Sequence, residues 1–560
     1  MKLQLGGGVE WAKARRWRVV MGMACVMGLA ASQAQDRKDA LEALERERTQ
    51  QIREAQSRTA PQWSGLKRTP WLEPVAEESP CFPIGRVEWQ PMPAPVPARL
   101  DAVLADLGAY TDACLGTDSI ERLRRNLEAR LVGLGYVTSS LSLPAQNLRE
   151  GTLQFQLHLG RVARIDRRGP AQAISRNALA VRPGDVLNLR DVEQSLDNLA
   201  RLPSQAAQVQ IEAADTADES VLALAAPERR RWRLSMGADN SGSEDFGRLQ
   251  GSVNVVLDAP LGLSDQLSAY VTGSLQGGSE RFQRTGILSY SIPWGYHLLT
   301  LSGTRSEHTR PIQGLSTTFS ENGHDASWQA RWQWTAWRSA SARVAVWVGA
   351  TDRRSRNQID DVELVLQRRN VRSNDWGFNG WWRREMGEFQ LDYEQAVSTR
   401  RSLGNDVALD PPPLAHTARA QLGWQRDWGD WRHDLRLAWA GVHDPASGAD
   451  FQALGSRWTV RGFDARGLLS GKEQLSLKQD LRGPGFEWRK GIAVQPYAAL
   501  DIGRIAGGAP GGRTLAGAAA GVRFQSGGLS GDLAAAAPLH KPQGFDAASA
   551  VVYASLNFSY

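Results

Sequence analysis

Arg461 stands between Val460 and the pair Gly462 and Phe463 in the stretch SRWTVRGFDARG, just after a segment patterned like a strand. An arginine held in a confined interior needs a carboxylate or several acceptors, because an unpaired charge there costs several kcal/mol. The best mate is Asp501 in QPYAALDIGRI, an acid at a strand position followed two residues on by Gly503. A carboxylate there would complete a charge-assisted, bidentate pair with the guanidinium. Gly462 removes bulk where a loop must turn sharply, and Phe463 can anchor the tip by packing. The chemistry offered is recognition between two distant parts of one chain.

Catalytic arrangements are missing. No G-x-S-x-G elbow occurs among the eight histidines and the scattered serines, so no catalytic residue and no enzyme activity are expected. No phosphate-binding loop and no metal-ligand spacing occur either, so neither a cofactor nor a metal is expected. The chain carries 66 basic and 60 acidic groups for a net charge of +6. Residues 1–34 hold five of the basic groups and one acidic group, so their removal would leave +2, too little to suggest nucleic-acid binding.

The elements that must position these residues change character along the chain. Residues 1–34 carry Lys13, Arg15, Arg16 and Arg18, an uncharged run over 19–31, and Ser32, Gln33 and Ala34, which is the order of a secretory signal with cleavage after Ala34. Cys25 falls inside that run and would leave with it. Export leaves Cys81 and Cys114, and an even pair in an oxidising compartment suggests one disulfide, stabilising by about 3 to 4 kcal/mol. Residues 36–58 are rich in Ala, Leu, Glu, Arg and Gln with no Gly or Pro, which predicts a helix. Its apolar stripe is too narrow to join a hydrophobic core, so it suits either a wet polar channel or open solvent. Residues 59–80, with four prolines, read as an extended linker.

Two α+β modules follow. In DSIERLRRNLEARLVGLGY, Ile120, Leu123, Leu127, Leu131 and Leu134 share one helical face, Asp118 and Glu121 form a capping-box pattern, and Gly135 supplies the stop. A strand comes next, with Leu153, Phe155, Leu157 and Leu159 alternating with polar residues. The plan repeats with a strand near 162–167 and a helix bearing Val192, Leu196 and Leu199. From about residue 227 the period is two. Ala418, Ala420, Leu422 and Trp424 oppose Thr417, Arg419 and Gln421, and beyond a tight turn Trp431, Leu435, Leu437 and Trp439 oppose Arg432, Asp434 and Arg436. Near the end Val552, Ala554, Leu556, Phe558 and Tyr560 alternate with Val551, Tyr553, Ser555, Asn557 and Ser559. Tryptophans cluster here, among them Trp328, Trp332, Trp334, Trp337, Trp381 and Trp382, as interfacial girdles require. The segment 227–560 fits roughly 16 strands of an outer-membrane barrel.

Val460-Arg461-Gly462-Phe463 resembles the VRG(Y/F) signature of the sixth extracellular loop in the Omp85 superfamily, and Asp501-Ile502-Gly503 resembles its later F-x-D-x-G strand motif, with Ala499 where phenylalanine is usual. Residues 239–268, SYSIPWG, the segment from CFPIGRVEW to GYVTS, and PGDVLNLRDVEQSLDNLARL resemble, in order, parts of the two-partner secretion transporters of the ShlB/FhaC/HecB type (TpsB). The resemblance implies an all-β transmembrane barrel of about 16 antiparallel strands, preceded by an N-terminal helix and two periplasmic α+β POTRA domains. Its expected divisions are a signal peptide over 1–34, a plug helix over 35–58, a linker over 59–80, POTRA domains over 81–159 and 160–226, and a barrel over 227–560. It implies a bacterial outer-membrane location and transport of an unfolded TpsA-type exoprotein of adhesin or haemolysin type. The POTRA domains would bind that client, the helix would plug the pore, and the Arg461 loop would act as a conformational lock. Other expected partners are outer-membrane lipid and the barrel assembly machinery, around a monomer. A general solute channel would not need two periplasmic modules, and protein insertases of the superfamily more often carry another number of them and lack the helix.

Overall fold

The computed structural model describes residues 78–90, 113–314, 317–403, 407–408, 414–444, 450–508 and 513–560, together with 40, 41, 43, 46, 48, 49, 51 and 61. The expected signal peptide and most of the expected linker lie outside the described residues.

In the first module, helix α1 (Thr117–Leu134) buries Ile120, Leu123, Leu127 and Leu131 against Leu153, Phe155 and Leu157 of the strand Thr152–His158. Each such apolar side chain taken from water contributes about 1.5–3 kcal/mol. The helix ends where Gly135 adopts φ 106° and its N–H bonds back into the last turn. The expected capping box is not formed. The N-cap is Gly116, without a side-chain cap, and Glu121 instead pairs with Arg124 one turn on, where a guanidinium is the stronger mate for the carboxylate. Cys81 and Cys114 are joined in a disulfide, with Cα atoms 5.4 Å apart, beside the short ribbon of Phe82–Ile84 and Ala113–Leu115.

The second module is a three-stranded sheet, with Arg161–Arg168 parallel to Glu219–Ala225 and Gln208–Ala213 on its other side. Helix α2 (Leu189–Ala200) covers it with Val192 and Leu199. The modules are tied together where the Leu189 N–H donates to the Gly135 carbonyl at 2.8 Å and the Gly160 N–H donates to the Ser139 hydroxyl at 3.1 Å.

Among the described residues, sixteen antiparallel strands run from Trp232–Asp239 to Val551–Ser559 and close on themselves. The ribbons Val362–Glu363, Val407–Ala408 and Phe486–Arg489 only extend the edges of that cylinder. Strand alternation sorts the side chains. In Ile492–Ala506, Tyr497, Asp501, Gly503 and Ile505 are buried inward while Leu500, Ile502 and Arg504 are exposed outward. Trp328, Trp332, Trp334 and Trp337 are exposed outside, as the girdle pattern requires. Trp381 departs from that expectation. It lines the lumen, because it falls on the inward phase of Arg369–Arg384.

Helix α2 docks on the turns at one end of the cylinder. Arg338 donates to Glu193 at 3.1 Å and to Asp197 at 2.5 Å, Arg190 pairs with Glu193 at 2.7 Å, and Arg343 reaches Asp197 at 3.1 Å. The Asn198 amide donates to the Gly295 carbonyl at 2.7 Å and that of Asn177 to the Pro293 carbonyl at 2.7 Å. Breaking such a buried ion cluster strands carboxylates without a counter-charge, at about 3–5 kcal/mol. Arg338→Ala should therefore loosen the second module from the barrel, read as faster trypsin cleavage within the connector 226–231 while the barrel still migrates as a folded species in cold detergent electrophoresis. Unaltered cleavage would show that the ion cluster does not hold the dock.

Candidate functional site

Between the wall strands Trp431–His443 and Glu473–Arg482, the segment 455–468 is flanked by Gln452–Leu454 and Leu469–Gly471, two short strands paired with each other outside the barrel sheet. Between them it folds back into the lumen as an ordered object. Thr459 accepts the N–H groups of Gly455 and Ser456 at 3.1 Å each, and the Val460 N–H donates to the Ser456 carbonyl at 2.9 Å. Val460 and Phe463 are buried with Leu454, Leu469, Ile505 and Leu515, and Phe463 meets Phe545 edge-on at 5.7 Å.

Arg461 lies at the centre. Its Nε donates to Asp501 Oδ2 at 2.8 Å and its Nη2 to Oδ1 at 2.5 Å, a bidentate fork that makes Asp501 the mate expected for it. The Arg461 backbone N–H adds a third bond to Asp501 Oδ2 at 2.9 Å, so the loop backbone is clamped along with the side chain. The remaining arm, Nη1, meets Asp480 Oδ1 at 2.5 Å. Asp501 is wholly withdrawn from solvent and Arg461 keeps 15% of its side-chain exposure. Burial disfavours the charged guanidinium, but the hydrogen bonds and charge of Asp501, followed by Asp480, outweigh it and hold its pKa above the ordinary arginine value.

The glycines follow from close approach. Gly462 sits at φ 101°, in the left-handed region, and its N–H donates to the Tyr553 hydroxyl at 2.9 Å, which in turn donates to the Phe463 carbonyl at 2.9 Å. A Cβ on Gly503 would come within 2.7 Å of a Val460 methyl, so the glycine makes the pocket that Val460 fills. A Cβ on Gly517 would come within 1.9 Å of the Arg461 carbonyl oxygen.

Of the predicted N-terminal helix, residues 40, 41, 43, 46, 48, 49 and 51 are described, and all are helical. Ala40 and Ala43 pack on Ala453 of the short strand Gln452–Leu454 and on Ala465 of the folded-back segment. Arg48 stacks over Trp458 at 5.8 Å and Arg46 reaches the Phe451 carbonyl at 3.4 Å. The helix thus lies inside the cylinder and touches the loop that carries Arg461. Beside it a cavity of about 650 Å³ is lined mainly by polar wall residues such as Gln283, Ser302, Gln329 and Arg331.

The sequence model of the haemolysin secretion/activation proteins ShlB/FhaC/HecB matches residues 218–524, a ShlB-type POTRA model matches 82–160, and a further POTRA model matches 163–213. An outer membrane transporter of Burkholderia pseudomallei (strain 1026b), CdiB-2, is 30% identical over 90% of this chain and 92% of its own length. The chain belongs to the ShlB/FhaC/HecB family. The haemolysin transporter protein HpmB of Proteus mirabilis is 26% identical over 82% of this chain and 81% of its own. In fold, CdiB from Escherichia coli superimposes with a TM-score of 0.81 at 24% identity, over 94% of this chain and 98% of that one. This is a family of two-partner secretion transporters in the outer membrane, with POTRA domains in the periplasm. The end of the barrel that receives α2 is accordingly periplasmic, and the opposite end faces outward.

Family motifs pointed to Arg461 and Asp501, but Asp480, Gly517 and Tyr553 were missed. Asp480 and Tyr553 each stand on the polar phase of an alternating strand, a visible signal, yet their pairing depends on register, which puts Lys478 opposite Asp501 and Asp480 opposite Ala499. Gly517 carries no sequence signal beyond being small. Gly517→Ala should expel the segment 455–468 from its seat, because its obstacle is a backbone carbonyl, whereas Gly503→Ala meets a side-chain methyl that can shift. Trypsin cleavage after Arg457, Arg461 and Arg466 should rise strongly in the first variant and slightly in the second. Equal protection in both would contradict the close fit at Gly517.

Proposed function

We propose that this protein receives an unfolded partner exoprotein of adhesin or haemolysin type in the periplasm, engages it through its two POTRA domains, and passes it through the barrel to the cell surface. Curated relatives named as haemolysin transporters and CdiB transporters support that client class. The described POTRA sheets end in edge strands such as Arg86–Trp89 and Gln208–Ala213, and an extended client can add to such an edge through backbone hydrogen bonds with little demand on sequence. In this reading 1–34 is a removed signal, 35–58 the plug, 59–80 the linker that lets the plug travel, 81–159 and 160–226 the binding modules, and 227–560 the conduit.

The observation that carries the reading is that two separate pieces of the chain, the helix and the Arg461 loop, occupy the lumen in contact with each other. Crossing about 30 Å of hydrocarbon core takes about nine residues of extended chain. The helix and the folded-back loop stand in that path. Passage therefore requires the helix to leave and the loop to shift, and the contacts of Ala40 and Ala43 with Ala453 and Ala465 link those events. A polar wall bearing Arg331, Arg353, Asp325 and Glu394 holds a moving chain weakly at many points.

Deleting residues 36–58 should raise ion conductance in planar bilayers, since conductance rises with the open area of the pore; unchanged conductance would remove the plug. Arg461→Ala and Asp501→Ala should each lower secretion of the cognate exoprotein while the barrel still assembles. Normal secretion by both variants would remove the lock.

A further inference from the structure

The outer wall carries a second charged feature, remote from the lumen. On five neighbouring strands, from Phe282–Trp294 through Arg369–Arg384, the outward phase is apolar near the periplasmic end and turns basic toward the other. Leu288, Leu301, Trp328, Val348 and Trp376 are exposed on this face. Above them come Arg284, Arg305, Arg354, Arg356 and Arg372, all exposed, with His324 between. Strand register makes this one patch. Arg284 faces Glu307, Arg305 and Arg354 both face Ala326, Arg356 faces His324, and Arg372 faces Asp352.

Height and charge decide what such a patch meets. Arg305 lies eight residues beyond His297 at the periplasmic turn, which at about 3.3 Å per residue and a tilt of about 40° is roughly 20 Å up a band about 25 Å tall. The patch thus stands at the level where acyl chains end and headgroups begin in the outer leaflet. Arg305 and Arg354 keep 76% and 72% of their side-chain exposure although each meets one carboxylate, Glu307 at 2.8 Å and Asp352 at 3.5 Å. Five guanidinium groups stand beside those two acids, and Glu363, the further carboxylate that feels Arg356, is already paired with Arg368 at 2.6 Å, so the patch remains cationic. Guanidinium forks fit phosphate oxygens bidentately, and the apolar face directly below accepts acyl chains.

We infer that this face, centred on Arg305, Arg354, Arg356 and Arg372, is a binding site for the phosphorylated glycolipid of the outer leaflet, with phosphates on the arginines and acyl chains on Trp328, Val348 and Trp376. The strands that bear it also carry Arg338 and Arg343, which hold helix α2 at their periplasmic ends, so a lipid seated here steadies the wall on which the second POTRA domain docks.

The test uses the full chain in detergent with diphosphorylated lipid A, the same lipid stripped of phosphate, and inorganic phosphate as competitor, read by native mass spectrometry. Diphosphorylated lipid A should bind, the stripped lipid should bind far more weakly, and millimolar inorganic phosphate should not displace it. The combined variant Arg354→Gln, Arg356→Gln and Arg372→Gln should bind roughly a hundredfold more weakly, at the usual contribution of one basic residue near an anionic surface. Arg504→Gln, an exposed outward arginine on the distant strand Ile492–Ala506, should bind as the parent does. Equal binding of both lipids, full displacement by inorganic phosphate, or an unaffected triple variant would overturn the assignment. Should the triple variant fail to fold, the two-lipid comparison on the parent chain decides alone.

Discussion

Asp501 has no contact with solvent, and a carboxylate so placed must find donors or give up its charge. This barrel supplies them by bending the segment 455–468 back into its own lumen, so that Arg461 delivers two guanidinium bonds and one backbone bond to the same acid. Much else follows from that requirement. The loop needs Gly462 at positive φ, a seat cleared by Gly503 and Gly517, and a hydroxyl from Tyr553 for the backbone atoms it turns inward. The helix then has a partner inside the pore, because the folded segment offers Ala465 and Trp458 to it and the short strand before it offers Ala453.

The pair is also a poor permanent bond, and that suits a transporter. Two buried charges pay a desolvation cost that their attraction only partly returns, so the net stability of such a pair is small while the cost of splitting it unaided is large. A pair of this kind holds one arrangement sharply yet can be exchanged for another whenever new partners are presented. Lys478, Asp480 and Arg523 lie close by on the wall, and Arg523 already touches Asp480 at 3.4 Å.

The sequence disclosed the architecture because period-two alternation survives in almost every barrel strand, and because α1 and α2 show an apolar face at helical spacing. It disclosed Arg461 and Asp501 because their neighbours form recognisable motifs. What stayed hidden depends on register and on space. Nothing in the order of residues says that Asp480 lies across from Ala499, that Gly517 faces the Arg461 carbonyl, or that Trp381 turns inward while its neighbours face lipid. The capping box at Asp118 and Glu121 failed because the helix starts earlier, at Thr117 with Gly116 as N-cap, which leaves Asp118 inside the first turn and Glu121 to pair with Arg124. The stretch 36–58 reads as a helix, but its narrow stripe of small residues fits a lumen as well as open water, and it takes contacts such as those of Ala40, Ala43 and Arg48 to distinguish them.

The central claim is that Arg461 and Asp501 hold the loop as a coupled unit. A double-mutant cycle with Arg461→Ala, Asp501→Ala and the combined variant, read by hydrogen exchange of residues 455–468 in the detergent-solubilised chain, measures that coupling directly. Each single change should deprotect the loop nearly as much as both together, giving a coupling energy of about 1.5 kcal/mol or more. Strictly additive effects, or a loop as protected in the combined variant as in the parent, would contradict it.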